Sequence, residues 1–314
     1  MTTFDPHGMV TRFKVDRPLS KNEQQHRFKV KQCTGAKPHY QLSLIKLNST
    51  FVECVDKWYS MRGFVAMGGI LFCFLTVALL YITLDVLIKS RFIEAELMVV
   101  LVVLVVSLLL LCGATIHLLT RDAFTYTHYP IRFNRKNRQV YVFRRDGTVL
   151  KAGWDDIYWT IYGHDSSTRD AFIAGHVMGD DKKTVKETVA LSVVTVAIPV
   201  GEEKLRNHFE FFRRYMEEGP GPVLDAIKPV PLIMLPAIYK QREGLAFGWE
   251  RLTLAFNGFA LLQLVFQVFF VPMSLFRWFA MRTSKIPQWP HWVEDECQVD
   301  PDDMWIRDER HAAQ

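Results

Sequence analysis

Two long apolar runs decide what this chain can become. From Gly63 to Ile88 only Asp85 is charged, and Leu97–Leu119 contains no acid, Lys or Arg. A helix rises about 1.5 Å per residue, so about 20 apolar residues cross the hydrocarbon layer of a bilayer. Both runs reach that length. The second, "LMVVLVVLVVSLLLLCGATIHLL", has no polar face to turn toward water. The pair predicts a transmembrane helical hairpin over 63–119. The mostly polar stretch ahead of the first run is unlike a cleavable signal peptide.

Charge placement sets the orientation. Residues 1–62 carry eleven Lys/Arg against five Asp/Glu, whereas the connector Lys89–Glu96 carries two of each. Past the second run come Arg121, Arg132, Arg135, Lys136, Arg138, Arg144 and Arg145. Basic flanks stay on the cytoplasmic side, which predicts that both flanks of the hairpin, and with them the bulk of the chain, face the cytoplasm. Cys33, Cys54, Cys73, Cys112 and Cys297 have no metal-binding spacing and read as unpaired thiols.

Around the hairpin, residues 1–40 read as a flexible cytoplasmic arm. In 41–62 the apolar residues Leu44, Ile45, Phe51, Val52, Val55, Trp58 and Tyr59 recur at mainly helical spacing, predicting an amphipathic lead-in helix. From 120 to 220 the period changes to two. "IRFNRKN", "RQVYVFRRDG", "TVLKAGWDDIYWTIYG", "AFIAGHVMGD" and "TVALSVVTVAIPVG" read as strands, with hairpin signals at Asn134–Asn137 and Asp146-Gly147. A helix follows with Leu205, Phe209, Phe212 and Met216 on one stripe, stopped by Gly219 and Pro220. Five to seven strands closed by one helix predict a cytoplasmic pleckstrin-homology-like β-barrel, so the fold class is α+β with membrane helices. A small α+β layer is the rival arrangement.

Residues 221–250 read as a Pro-rich linker. The segment 251–280 reads as a third membrane segment, re-entrant or spanning. Its Asn257, Gln263 and Gln267 could hydrogen-bond a neighbouring helix. Arg277, Arg282 and Lys285 after it favour a return to the cytoplasm. The tail 281–314 holds eight Asp/Glu and four Lys/Arg. Its acidic half either lies against the basic hairpin at 130–147 or is a solvated terminus.

Motifs of catalysis are missing. There is no G-x-S-x-G, HExxH, Walker loop or dinucleotide fingerprint. His164, Asp165 and Ser166 are adjacent on one loop and read as a surface turn, His117 as an interfacial residue. Asp155 and Asp156 are expected on opposite faces of a strand, a poor acid–base pair. The chain reads as no enzyme, with no cofactor and no metal. The basic hairpin remains: Arg132, Arg135, Lys136, Arg138, Arg144 and Arg145 are candidate contacts for anionic lipid or a partner, at roughly 1 kcal/mol per charge near a membrane surface. The alternative is that they only set orientation. Nucleic acid is disfavoured because the hairpin's aromatics alternate inward.

The apolar hairpin followed by "YPIRFNRKNRQVYVFRRDGTVLKAGWDDIYW", "HFEFFRRYMEEGP" and "RTSKIPQWP" resembles a family of uncharacterised bacterial inner-membrane proteins, often encoded beside effectors of the type VI secretion system. The resemblance covers roughly residues 60–305 and carries no catalytic or binding residue set. It implies a role in effector handling, most simply as an immunity or accessory protein binding a secreted toxin. A membrane-anchored lipid-sensing module and a transporter or channel subunit are the alternatives, and self-association into a homo-oligomer stays open.

Overall fold

The computed structural model describes residues 3–4, 13–89, 95–163, 170–227, 243–254 and 260–308. His164, Asp165, Ser166, Asn257 and the Pro-rich core of the expected linker lie outside them. The chain divides into two compact units. Unit 1 comprises Met1–Ser60, Tyr126–Glu243 and Ile286–Gln314, and unit 2 comprises Met61–Thr125 and Gly244–Lys285.

Unit 1 is mixed α+β. Its strands are β1 (Thr3–Phe4), β2 (Lys14–Val15), β3 (Arg17–Pro18), β4 (Leu44–Leu47), β5 (Phe51–Cys54), β6 (Ile131–Asn134), β7 (Gln139–Phe143), β8 (Val149–Gly153), β9 (Tyr158–Tyr162), β10 (Asp170–Met178) and β11 (Thr184–Val196). One antiparallel sheet runs β4-β5-β6-β7-β8 and a second runs β3-β11-β10-β9. Between these two sheets the described residues give one bridge, from Asp56 to Leu191. A closed barrel is therefore not what is observed, because no ladder joins β8 to β9. Chain reversal there uses a turn at Trp154–Asp156, so the expectation of a strand carrying Asp155 and Asp156 is corrected.

The largest correction concerns residues 41–62. They form β4, β5 and a 3-10 turn at Lys57–Met61 instead of an amphipathic helix. The cause is local as well as tertiary. The Asn48 side-chain oxygen accepts the N–H groups of Thr50 and Phe51 at 2.9 and 2.8 Å, which reverses the chain after β4. β5 then pairs with β6 in the register Phe51↔Asn134 to Cys54↔Ile131. The apolar hairpin is thus an insertion between two paired strands.

The arm from Phe13 onward is also ordered. α1 (Lys21–Gln25) begins with a capping box in which Ser20 and Glu23 exchange hydrogen bonds. β3 pairs with β11, and the Phe28 N–H donates to the Trp159 carbonyl. Phe28 enters the main core, its ring stacked on Phe209 at 4.3 Å.

That core is closed by α4 (Pro199–Glu218), where Leu205, Phe209, Phe212 and Met216 are buried as the stripe required. Gly219, at φ +94°, ends the helix in the left-handed region that favours glycine. α5 (Gly221–Ile227) follows within the segment expected to be linker, and Val223 and Ile227 join the same core. The outer face of the five-stranded sheet is covered by the C-terminal tail. Trp289, Val293 and Cys297 from and beside a short helix at His291–Glu296 pack on Phe51, Tyr129, Tyr141 and Phe143. This explains why β5 and β6 are buried at every position: their sheet is covered on both faces.

A buried histidine gives unit 1 a pH signature. His208 Nδ1 donates to the His39 carbonyl at 3.3 Å, so Nε2 accepts from the Ser192 hydroxyl at 3.1 Å in the neutral ring. Burial pushes the His208 pKa down to about 3, and burial also lowers that of His39. The unfolded chain therefore takes up a proton first as pH falls through about 6.5, and stability present above that value is lost below it. Burial opposes ionisation of Glu210, yet hydrogen bonds from Arg213, Arg214 and Thr34 hold its carboxyl at about 2. Its contribution is lost only as pH drops below about 4.5. Denaturant unfolding should show the folded state losing about 1–2 kcal/mol between pH 7 and pH 5. His208→Gln should flatten that slope; an unchanged slope would refute the assignment.

Unit 2 contains three helices long and apolar enough to cross a membrane, with candidate spans Phe64–Lys89, Met98–Asp122 and Leu264–Thr283. We label the helices α6 (Phe64–Lys89), α7 (Ala95–Asp122), α8 (Leu245–Leu254) and α9 (Ala260–Thr283). Phe74, Tyr81, Leu109 and Leu110 are exposed, as in helices that meet lipid. The ends of α6 and α7 are tied together. The Asp122 carboxylate accepts the N–H groups of Gly63 at 2.8 Å and Ala66 at 3.1 Å, capping the start of α6. Arg62 donates to the Asp122 carbonyl at 2.8 Å. The expected third segment is split into α8 and α9, joined where the Trp249 indole donates to the Gln267 side chain at 2.8 Å. Gln263 lies on α9, and its side chain is outside the description.

Candidate functional site

The basic hairpin is built by β6, the turn at Arg135–Arg138 and β7. Asn134 and Asn137 shape the turn: their side-chain oxygens accept the N–H groups of Asn137 at 3.2 Å and Gln139 at 3.0 Å. Nothing in the local sequence says where the cations then go. The structure directs four of them to acids elsewhere in unit 1.

Arg132 is 1% exposed and cannot reach a lipid surface. Its Nε donates to Glu53 at 2.9 Å, and its Nη atoms donate to Glu294 at 3.1 and 3.2 Å. The guanidinium also lies over the Phe51 ring at 4.2 Å and the Trp289 ring at 4.9 Å. Lys136 pairs with Asp300 at 2.9 Å, an exposed contact of small energetic weight. Arg138 pairs with Asp155 at 2.6 Å and Glu217 at 2.7 Å, and its hydrogen bonds lower the Asp155 pKa. Arg144 is held by Glu187, and Arg135 Nε donates to the Ser49 carbonyl at 3.4 Å. Arg145 lines a small cavity taken up below.

The tail thus lies against the hairpin. Glu296 accepts from Lys151 at 2.7 Å and from the Tyr141 hydroxyl, and the Lys151 contact lowers its pKa. The Asn134 amide donates to the Glu296 carbonyl at 2.8 Å. Further along, Arg307 and Leu47 exchange backbone hydrogen bonds at 2.7 and 2.9 Å, which adds the tail to the free edge of β4. Arg132, Lys136, Arg138 and Arg144, which look available in sequence, are paired with acids from within the chain.

Glu53, Glu187 and Glu217 are partners that sequence reasoning missed, and Lys57 is a further buried residue it missed. Glu294 and Glu296 belong to the acidic tail, for which contact with the hairpin was one of the two expected alternatives. Alternation in "FVEC" and "ETVALSV" could have marked Glu53 and Glu187 as strand residues, but not what they face. Of the other singled-out residues, His117 is exposed on α7, and Gln267 meets Trp249. No group of three or more His, Cys, Asp or Glu suited to a metal occurs among the described residues.

A family model described as Family of unknown function (DUF6708) matches residues 107–301. The chain belongs to that family. No curated protein and no solved structure matches it. In this DUF6708 chain the matched stretch holds the whole basic hairpin together with Glu187, Glu217, Glu294, Glu296 and Asp300. Glu53 and Lys57 precede it.

Proposed function

We propose that this chain is a non-enzymatic binding protein of the bacterial inner membrane, an immunity or accessory protein for a type VI secretion effector, with the secreted toxin as its partner. The observation that carries the anchoring is the insertion of an apolar helical hairpin between the paired strands β5 and β6. Both hairpin ends run into one folded unit, so both return to the same side of the bilayer. Unit 1 also includes residues on both sides of 244–285. That connectivity favours a re-entrant path for α8 and α9 over a single crossing. The effector partner rests on the sequence resemblance.

Unit 1 is the surface offered to that partner. A pleckstrin-homology-like arrangement is the finer reading of it: two sheets meeting at the Asp56–Leu191 bridge, with α4 across their core. Lipid sensing through the basic hairpin is the weaker reading, since Arg132, Lys136, Arg138 and Arg144 already hold acidic partners. A transporter role would rest on Asn257, Gln263 and Gln267, of which Gln267 is engaged within unit 2.

Co-purification from the native host should recover an effector, and expression of the chain should protect a susceptible cell against it. Recovery of no effector together with no protection would overturn the partner. Reporter fusions at residues 30, 92 and 310 should place 30 and 310 in the cytoplasm and 92 outside. Periplasmic activity at 310 would show that the third segment crosses.

A further inference from the structure

Lys57 is the buried cation that the hairpin account leaves unexplained. It is 6% exposed, and among the described residues its ammonium makes no hydrogen bond and no ion pair. Instead it lies over the Phe172 ring, 3.4 Å from the centroid, and near the Trp58 ring at 4.9 Å. Aromatic faces attract a cation but do not neutralise it. A desolvated charge without a counter-ion is costly.

Asp170 acts on the ammonium only through space, and two other acids nearby are committed elsewhere. Asp56 accepts the N–H groups of Trp58 at 2.8 Å and Tyr129 at 2.9 Å. Glu187 holds Arg144. Lys57 and Arg145 line one cavity of about 80 Å³ together with Trp58, Tyr129, Arg144 and Glu187. Asp56 lines it as well, so three cations meet two carboxylates and the lining is net positive by one charge. The volume is well below the roughly 300 Å³ at which drug-sized ligand pockets begin. It suits one small oxyanion.

We infer that this cavity binds a single phosphate group, seated on the Lys57 ammonium with Arg145 in the same wall, supplied by an anionic lipid headgroup or by a free phosphate compound. The Lys57–Gly63 run leads directly into α6, which makes the lipid source chemically natural. Burial holds the Lys57 pKa down to about 8, against a smaller opposing influence from Asp170. This site is separate from the cations of the basic hairpin paired by the tail, and it does not depend on the effector reading.

The test uses the full chain in nanodiscs of phosphatidylcholine, in phosphate-free buffer, with inorganic phosphate as probe. Phosphorus NMR should show saturable line broadening. Lys57→Gln should weaken binding at least about tenfold, equivalent to about 1.4 kcal/mol, while Lys57→Arg should retain most of it. Nanodiscs containing phosphatidylglycerol identify the source. Suppression of phosphate binding there means that the lipid headgroup fills the site, and undiminished binding means a free compound. In the unmodified chain, phosphate should also slow acetylation of Lys57 by an amine-reactive reagent, a reading that needs no variant to fold. Absence of saturable broadening, equal affinity in Lys57→Gln, or acetylation at the same rate with and without phosphate would each overturn the inference.

Discussion

A fragment of residues 125–220 should not fold, although its strand patterning alone says that it should. In the intact chain β6 is paired on one side by β5, and the opposite face of that sheet is covered by Trp289, Val293 and Cys297. The fragment lacks all of these and also Phe28, whose ring stacks on Phe209. It would expose an unpaired apolar strand edge, a template for aggregation. Arg132 would lose both Glu53 and Glu294. Circular dichroism should report no cooperative melt. By contrast, joining residues 13–60 to 126–227 through a flexible Gly/Ser linker, with 286–308 restored, should give a soluble domain with a single transition. A cooperative melt of the short fragment would show that the arm and tail are dispensable.

Replacing Arg132 by Met in that joined domain should cost about 3–5 kcal/mol, because Glu53 would be left as an uncompensated charge at 0% exposure. The double change Arg132→Met with Glu53→Leu should recover most of the loss, since an apolar pair of similar volume does not need the ion pair. Denaturant midpoints at constant slope would measure both. If the single change costs less than about 1 kcal/mol, Arg132 is not the sheet's internal tie and its burial has another cause.

Much of this architecture was legible in the residues. The apolar runs, the period-two strands from Ile131 and the α4 stripe all fall where their patterns put them, because each is set by local spacing. The capping box Ser20–Glu23 was legible too, yet the stretch around it was read as flexible because its apolar residues are sparse. Residues 44–54 were misread for a different reason. Leu44, Ile45, Phe51 and Val52 fit a helical count only when the Asn48 turn between them is ignored. Arg132 illustrates the limit: its partners Glu53 and Glu294 lie far away in sequence on opposite sides, and no local pattern selects them. Six cations in one hairpin suggested a surface for lipid, whereas acids from elsewhere in the chain answer four of them, Arg132, Lys136, Arg138 and Arg144.

The insertion of the apolar hairpin between β5 and β6 also governs the order of events during synthesis. β5 ends at Cys54, but its partner β6 begins only at Ile131, after both apolar helices have been made. The last strand-like contact, at Arg307, is translated roughly 250 residues after Cys54. At roughly 5–20 residues per second that delay is on the order of tens of seconds. Both long apolar helices are therefore complete while the five-stranded sheet of unit 1 is still a set of open edges. Synthesis of the apolar helices precedes completion of the sheet, and a ribosome stalled after the second apolar helix would leave the paired β4 and β5 with the β6-facing edge of β5 open.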